Sequence, residues 1–169
     1  MRVAQNVFLY LTCLLVGMSA GFFGTYYYSV TRALATVQDE VYVPAFQAIN
    51  ATIRGAEFGV IFFGSLVMLI CATVVHLKIT NVRNLLIGAL IAYAILLGIT
   101  FLVHIPLNDE LALVDATQPE LLAAGRERFE ARWNEMHVIR SLFALLSFVL
   151  TLFAVFVSPH RKPRNWLRR

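Results

Sequence analysis

Hydrophobic positions in this chain gather into four long blocks, at 7–30, 58–75, 85–105 and 139–157. A helix needs about 20 mostly apolar residues to cross roughly 30 Å of hydrocarbon. Each block is close to or above that length, and only the last carries a charged residue, Arg140, near its start. The pattern predicts four transmembrane helices.

The stretches between the blocks are patterned as well. Pro44 is placed to open a helix, and Gln47, Asn50, Arg54 and Glu57 follow at spacings of three, four and three. That spacing sets all four on one helical face running into the second span. Pro106 follows His104 at the end of the third span. It lacks an N–H and clashes with the carbonyl four residues back, so it is expected to kink or end that helix. Thr117-Gln118-Pro119-Glu120 has capping-box spacing, and Leu122, Phe129, Trp133 and Met136 recur at roughly helical intervals. This predicts an amphipathic helix leading into the fourth span. The fold class expected is therefore all-α: a polytopic four-transmembrane-helix bundle with amphipathic helical segments in two outer loops. One membrane domain covers 1–157 and a basic tail covers 158–169.

Composition excludes a water-soluble surface. Hydrophobic residues make up 59% of the 169 and charged residues 14%, against about 25% charged in soluble domains; the mean hydropathy is +0.72. The first block is too long for a signal-peptide core, since apolar residues continue through Gly21-Phe22-Phe23-Gly24 to Val30. Gly17, Ala20, Gly21 and Gly24 offer a small-residue face for close helix approach, and Tyr26-Tyr27-Tyr28 reads as an interfacial aromatic belt. Cys13 and Cys71 are isolated within spans and read as packing residues.

Charge sets the expected orientation. With four spans, Arg2, Lys78, Arg83, Arg161, Lys162, Arg164, Arg168 and Arg169 share one side, eight in all. The other side holds five, Arg32, Arg54, Arg126, Arg128 and Arg132, together with every acidic residue. The positive-inside rule places both termini in the cytoplasm. The net charge of +4 is then a membrane-topology signal beside an anionic leaflet, not a nucleic-acid footprint. The partner expected is the lipid bilayer, with other subunits of a membrane complex as a further possibility.

Candidate chemistry collects at one level. Trp133, His137 and Arg140 are spaced four and three, stacked on one face of the fourth helix. The ends of helices 2, 3 and 4 bring Asn50, Arg54, Glu57, His104, Asn108, His137 and Arg140 to the same depth. An arginine inside a span is costly unless paired, and Glu57 is its expected carboxylate. His104 and His137 are expected to approach each other around a pocket walled by Trp133. His76 reads as an ordinary interface histidine. One reading of the cluster is a metal site, with His104, His137 and Glu57 binding iron, copper or zinc. Haem between His104 and His137 is another, and a non-catalytic accessory subunit whose polar cluster only ties helices together is a third.

Four pieces carry a resemblance: Gly21-Phe22-Phe23-Gly24, Pro44-x-x-Gln47-x-x-Asn50, Pro106-x-Asn108-Asp109-Glu110 and Trp133-x-x-x-His137-x-x-Arg140. In order and spacing, over roughly 10–157, they resemble the small four-helix membrane proteins grouped with the fungal anthrone oxygenases. The resemblance implies an oxygenase or oxidoreductase acting on an aromatic or quinol-like lipophilic substrate, and a bacterial inner-membrane location. Such an oxidation needs no metal: a base removes an acidic C–H proton and the resulting carbanion reacts with dioxygen. His137 is the expected base, His104 its companion, and Arg140, Asn108 or Asn50 the expected anion stabilisers. Trp133, Asn50 and Gln47 are expected to contact substrate in a pocket open to the bilayer.

The eight-to-five division of basic residues yields a direct test. A reporter fused after Arg169 is expected on the cytoplasmic side and one inserted near Ala116 on the external side; the reverse pattern would overturn the orientation.

Overall fold

A computed structural model gives the arrangement of residues 2–158, with side chains from residue 4 onward. The tail beyond 158, on which much of the charge bias rests, lies outside the described residues. Among the described residues every regular element is helical. Four helical runs, Ala4–Leu34, Ala56–Val75, Thr80–Ala112 and Pro119–Val157, are long and apolar enough to cross a membrane.

The first run is α1 (Arg2–Thr25), a π-helical segment π1 (Tyr26–Thr31) and a short α2 (Arg32–Leu34). Next comes α3 (Asp39–Ile53), which begins ahead of Pro44 rather than at it. Its start is set by Asp39 and Glu40, whose charges suit a helix N-terminus. Pro44 costs only the bond to the carbonyl four residues back. The face expected to run from Gln47 to Glu57 is broken: α3 stops at Ile53, and α4 (Ala56–Val75) starts after an extended Gly55. Glu57 thus belongs to a different helix from Gln47 and Asn50.

The third run is α5 (Thr80–Ile99), π2 (Thr100–His104) and α6 (Ile105–Ala112). Pro106 neither ends nor breaks it. The chain widens by one turn of π-helix just ahead of the proline, and the Ile105 N–H reaches back five residues to Thr100 O. The carbonyls disturbed by the wider turn find side-chain donors: Thr100 Oγ1 donates to Leu96 O at 2.9 Å and His104 Nδ1 lies 3.3 Å from Ile99 O. Inside a membrane such freed groups must be satisfied internally.

The last element, α7 (Pro119–Val157), has 39 residues and is about 58 Å long at 1.5 Å per residue. That is about twice the hydrocarbon thickness, so its N-terminal half projects beyond the bilayer as one rod with the fourth span. It opens with Pro119 at its first turn and without the expected capping box: Thr117 Oγ1 donates to Asp115 Oδ1 at 2.7 Å instead.

Two tiers of core result. In the membrane tier Val16 and Phe23 of α1, Phe62 and Leu69 of α4, Ala89, Tyr93 and Leu96 of α5 and Ala144 of α7 pack together. Small residues let helices close up here. Ser147 Oγ of α7 donates to Ala89 O at 2.9 Å, and a Cβ on Gly17 would lie 2.9 Å from the Phe148 ring. Gly21 and Gly24 have no such neighbour, so the predicted small-residue face packs at Gly17 and Ala20 but not at these two glycines. The second tier is a cap outside the membrane, in which Tyr42, Val43 and Phe46 of α3 meet Leu111 of α6 and Leu122, Phe129 and Trp133 of α7. Arg126 fastens it, donating to Val37 O at 2.7 Å and Asp39 Oδ1 at 3.0 Å while its guanidinium lies 4.3 Å from the Tyr42 ring.

Tyr93 joins three helices. Its hydroxyl donates to Phe62 O at 2.8 Å and pairs with Ser19 Oγ at 3.1 Å. Tyr93→Phe is expected to cost about 0.6–1 kcal/mol, read as a lowered unfolding midpoint in detergent; an unchanged midpoint would show that the junction adds nothing.

Candidate functional site

The two tiers meet at a cavity of about 350 Å³ bordered by α1, π1, α3, α4, π2, α6 and α7. Most of its apolar wall is aromatic, from Phe22, Phe23, Phe58, Phe62, Phe63, Phe101 and Trp133. Its polar lining consists of Tyr26, Asn50, Arg54, Thr100, His104, Asn108, His137 and Arg140. Aromatic walls with a few convergent polar groups describe a small-molecule site.

The geometry is built outward from α7. Trp133, His137 and Arg140 do share one buried face, as their spacing predicts. The Trp133 indole stacks on the His137 imidazole at 4.8 Å and 22°, and meets His104 edge-on at 4.9 Å. Its Nε1 donates to Asn108 Oδ1 at 2.8 Å, so Asn108 holds the wall in place. The two histidine rings lie 6.1 Å apart.

Arg140 is only 7% exposed and reaches no carboxylate among the described residues. The expected pairing with Glu57 is therefore corrected. Glu57, on the first turn of α4, is exposed and does not line the cavity. Instead Nη2 of Arg140 lies 2.8 Å from His137 Nδ1, Nη1 lies 3.4 Å from Thr100 Oγ1, and the guanidinium sits between the rings of Phe23 (4.7 Å) and Trp133 (5.6 Å). Aromatic faces and neutral acceptors replace the counter-ion.

These contacts settle the imidazole tautomers. A guanidinium only donates, so His137 Nδ1 accepts and Nε2 carries the hydrogen, donating to Phe23 O at 3.2 Å. Both nitrogens of His137 are then engaged. A carbonyl only accepts, so His104 Nδ1 donates to Ile99 O and its Nε2 keeps a lone pair; that atom is buried without a hydrogen-bond partner. Tyr26 Oη, Asn50 Nδ2 and Arg140 Nε are likewise buried and unpartnered. Buried polar atoms are nearly always paired; of the seven unpartnered among the described residues, these four belong to residues lining the one cavity.

The metal set of His104, His137 and Glu57 does not assemble. Glu57 is outside, His137 has no free nitrogen, and no group of three ligating side chains occurs among the described residues. Haem held between His104 and His137 would require His137 to give up one of its two hydrogen bonds for an axial position. Gln47 is corrected too: its Nε2 donates to Leu111 O and Val114 O, both at 2.9 Å, capping the end of α6 away from the cavity. His76, at the C-terminal end of α4, is fully buried and its Nδ1 lies 2.8 Å from Ala72 O.

Sequence reasoning missed Tyr26 and Thr100. Tyr28 is 69% exposed, as suits a belt, but π1 turns Tyr26 inward to 5.3 Å from His137. Nothing in three consecutive tyrosines marks which one turns. Thr100 was hidden in an apolar block.

Compared with known proteins, the chain matches the sequence model of one family, described as anthrone oxygenase, over residues 56–150. That range is 95 of 169 residues, more than half. It takes in His104, Asn108, Trp133, His137 and Arg140. No curated protein and no solved structure matches.

Arg140→Leu would leave His137 Nδ1 without its donor and the two rings without their cation. A stability loss of about 1.5–3 kcal/mol is expected, seen as a lower thermal midpoint in detergent. Arg140→Lys keeps the charge but loses the planar fork between the rings, so only partial recovery is expected. Wild-type stability in the leucine variant would show that the cluster does not hold the bundle.

Proposed function

The chain belongs to the anthrone oxygenase family, and from that premise we propose that it oxidises a lipophilic aromatic carbon acid, anthrone- or quinol-like, with dioxygen inside the aromatic cavity. The observation that carries this reading is the His104 Nε2 lone pair, buried without a partner in a cavity lined by Asn50, Tyr26 and Arg140. The charge bias of the sequence supports placing the cavity toward the external face, with both termini cytoplasmic.

His104, rather than the expected His137, is the base in this reading, because His137 has no nitrogen to offer. The Nδ1–H···O bond to Ile99 fixes the His104 tautomer, so Nε2 accepts a proton from the ring methylene of the substrate. The electron pair left behind delocalises onto the substrate ketone oxygen. Asn50 Nδ2, Tyr26 Oη and Arg140 Nε, all lacking other partners, are available to stabilise that oxyanion. Dioxygen adds at the carbanion and forms a C–O bond, and the protonated His104 returns its proton to the distal peroxide oxygen. Loss of water from the hydroperoxide leaves a carbonyl. In sum one CH₂ and one O₂ become one C=O and one H₂O, with no outside reductant. Trp133 orients the planar ring, and Asn108 orients Trp133.

The test uses purified protein in detergent with a dihydroxyanthrone, following oxygen uptake and quinone absorbance against a protein-free blank. His104→Gln should lower the protein-dependent rate about 100-fold or more, within the range for loss of a general base. Glu57→Gln, outside the cavity, should leave the rate unchanged. A wild-type rate equal to the blank would overturn the reading, as would full activity in the glutamine variant at position 104.

A further inference from the structure

The cavity wall between α4 and the π2–α6 strut is a ladder with a missing rung. The two segments run antiparallel, α4 away from the cap and the strut toward it. Phe63 and Phe101 face each other across the gap, rings 6.4 Å apart. At the cap end Arg54 forms an ion pair with Asp109. Counting from the phenylalanine contact toward the ion pair, Gly59 and Ile105 each come four residues later, and both line the cavity. Gly59 has no side chain to reach across: a Cβ built on it would meet nothing within 4 Å.

That gap opens on the lipid side. Phe63 and Phe101 line the cavity and yet are 50% and 48% exposed, and Ile105 also combines both properties. A residue that lines a cavity and is half-exposed stands on its rim. Phe63, Phe101 and Ile105 fall within the apolar blocks 58–75 and 85–105, each long enough to span a bilayer, which favours exposure to hydrocarbon over water. At the other end the slit is crossed by a charged pair, which disfavours passage of an apolar ring.

We propose that Gly59 is the specificity-determining position of a lateral portal, through which a planar apolar ring passes from the hydrocarbon into the cavity between Phe63 and the Arg54–Asp109 pair. The absent side chain at 59 sets the width of ring admitted. This rests on the oxygenase reading for the identity of the ligand, but access and chemistry separate experimentally. Because a side chain at 59 meets open space, it narrows the portal without displacing the bundle.

The experiment places the full chain in phosphatidylcholine–phosphatidylglycerol nanodiscs, with Trp166→Phe so that Trp133 is the one remaining tryptophan of two. Anthraquinone added to the lipid quenches Trp133 as it arrives beside it, and quenching is followed in time. Gly59→Leu should slow quenching about tenfold or more and slow turnover in proportion. Gly59→Ala should have little effect, and Gly21→Leu, at an exposed glycine away from the cavity, should have none. Adding Phe63→Ala to Gly59→Leu should restore the rate by reopening the neighbouring rung, which distinguishes blockage from misfolding. Unchanged quenching in Gly59→Leu would overturn the portal alone. Failure of the double variant to recover would overturn it too, as would acceleration by Asp109→Asn, which would locate access at the polar end. Absence of quenching in the parent protein would remove the aromatic-ligand reading itself, and the portal with it. Quenching without any turnover would remove the oxygenase reading and leave the portal standing.

Discussion

A guanidinium held inside an apolar bundle without a carboxylate is the constraint around which this molecule is arranged. Charge in hydrocarbon is expensive, and the usual remedy, a buried ion pair, carries its own desolvation cost. Here the chain surrounds Arg140 with π-electron faces from Phe23 and Trp133 and with the neutral acceptors His137 and Thr100. Each of those is fixed in turn: His137 by the Phe23 carbonyl, Trp133 by Asn108, and Thr100 by the π turn it helps to cap. Elements from the first, third and fourth runs thus converge on one cation, and the cavity is the space left beside it.

The two cores divide the labour. The membrane tier packs small residues and pairs its hydroxyls with backbone carbonyls, which makes it dense and low in free polar groups. The cap uses long aromatic contacts and the Arg126 fastening, chemistry suited to a wet surface. The site occupies the seam, where polar groups are affordable and apolar walls are still at hand. Because α7 runs through both tiers as one helix, it carries Trp133, His137 and Arg140 without a joint between them.

Much of this was legible in the chain. Blocks of apolar residues announce spans because the bilayer demands both length and hydrophobicity, and the periodic run from Leu122 to Met136 announces the projecting half of α7. The triad of Trp133, His137 and Arg140 could be read from spacing because α-helical periodicity is unbroken there. Errors arose where periodicity breaks. Gly55 splits what looked like one face from Gln47 to Glu57, sending Glu57 to the surface and leaving Gln47 to cap α6. Pro106 was expected to kink or end its helix; the α-helical pattern does give way ahead of it, but to a π turn from which the run continues as α6. Another π turn carries Tyr26 inward. Nor could one-dimensional spacing reveal that His137 is fully hydrogen-bonded while His104 is not, since that depends on a carbonyl of Phe23 more than a hundred positions away.

The π turn at Thr100–His104 also has a meaning in the bookkeeping of chain length. A wider turn of this kind holds one residue more than the α-helix would need for the same advance. Removing a single residue from it would let the helix close up as an ordinary α-helix while leaving what lies beyond in nearly the same place. Asn108 would still meet Trp133 and Asp109 would still meet Arg54, but His104 Nδ1 would lose the wide turn that sets it against Ile99 O. Among homologous chains the presence or absence of that surplus residue should therefore sort those that hold this histidine in one tautomer from those that do not, more sharply than identity at any one position.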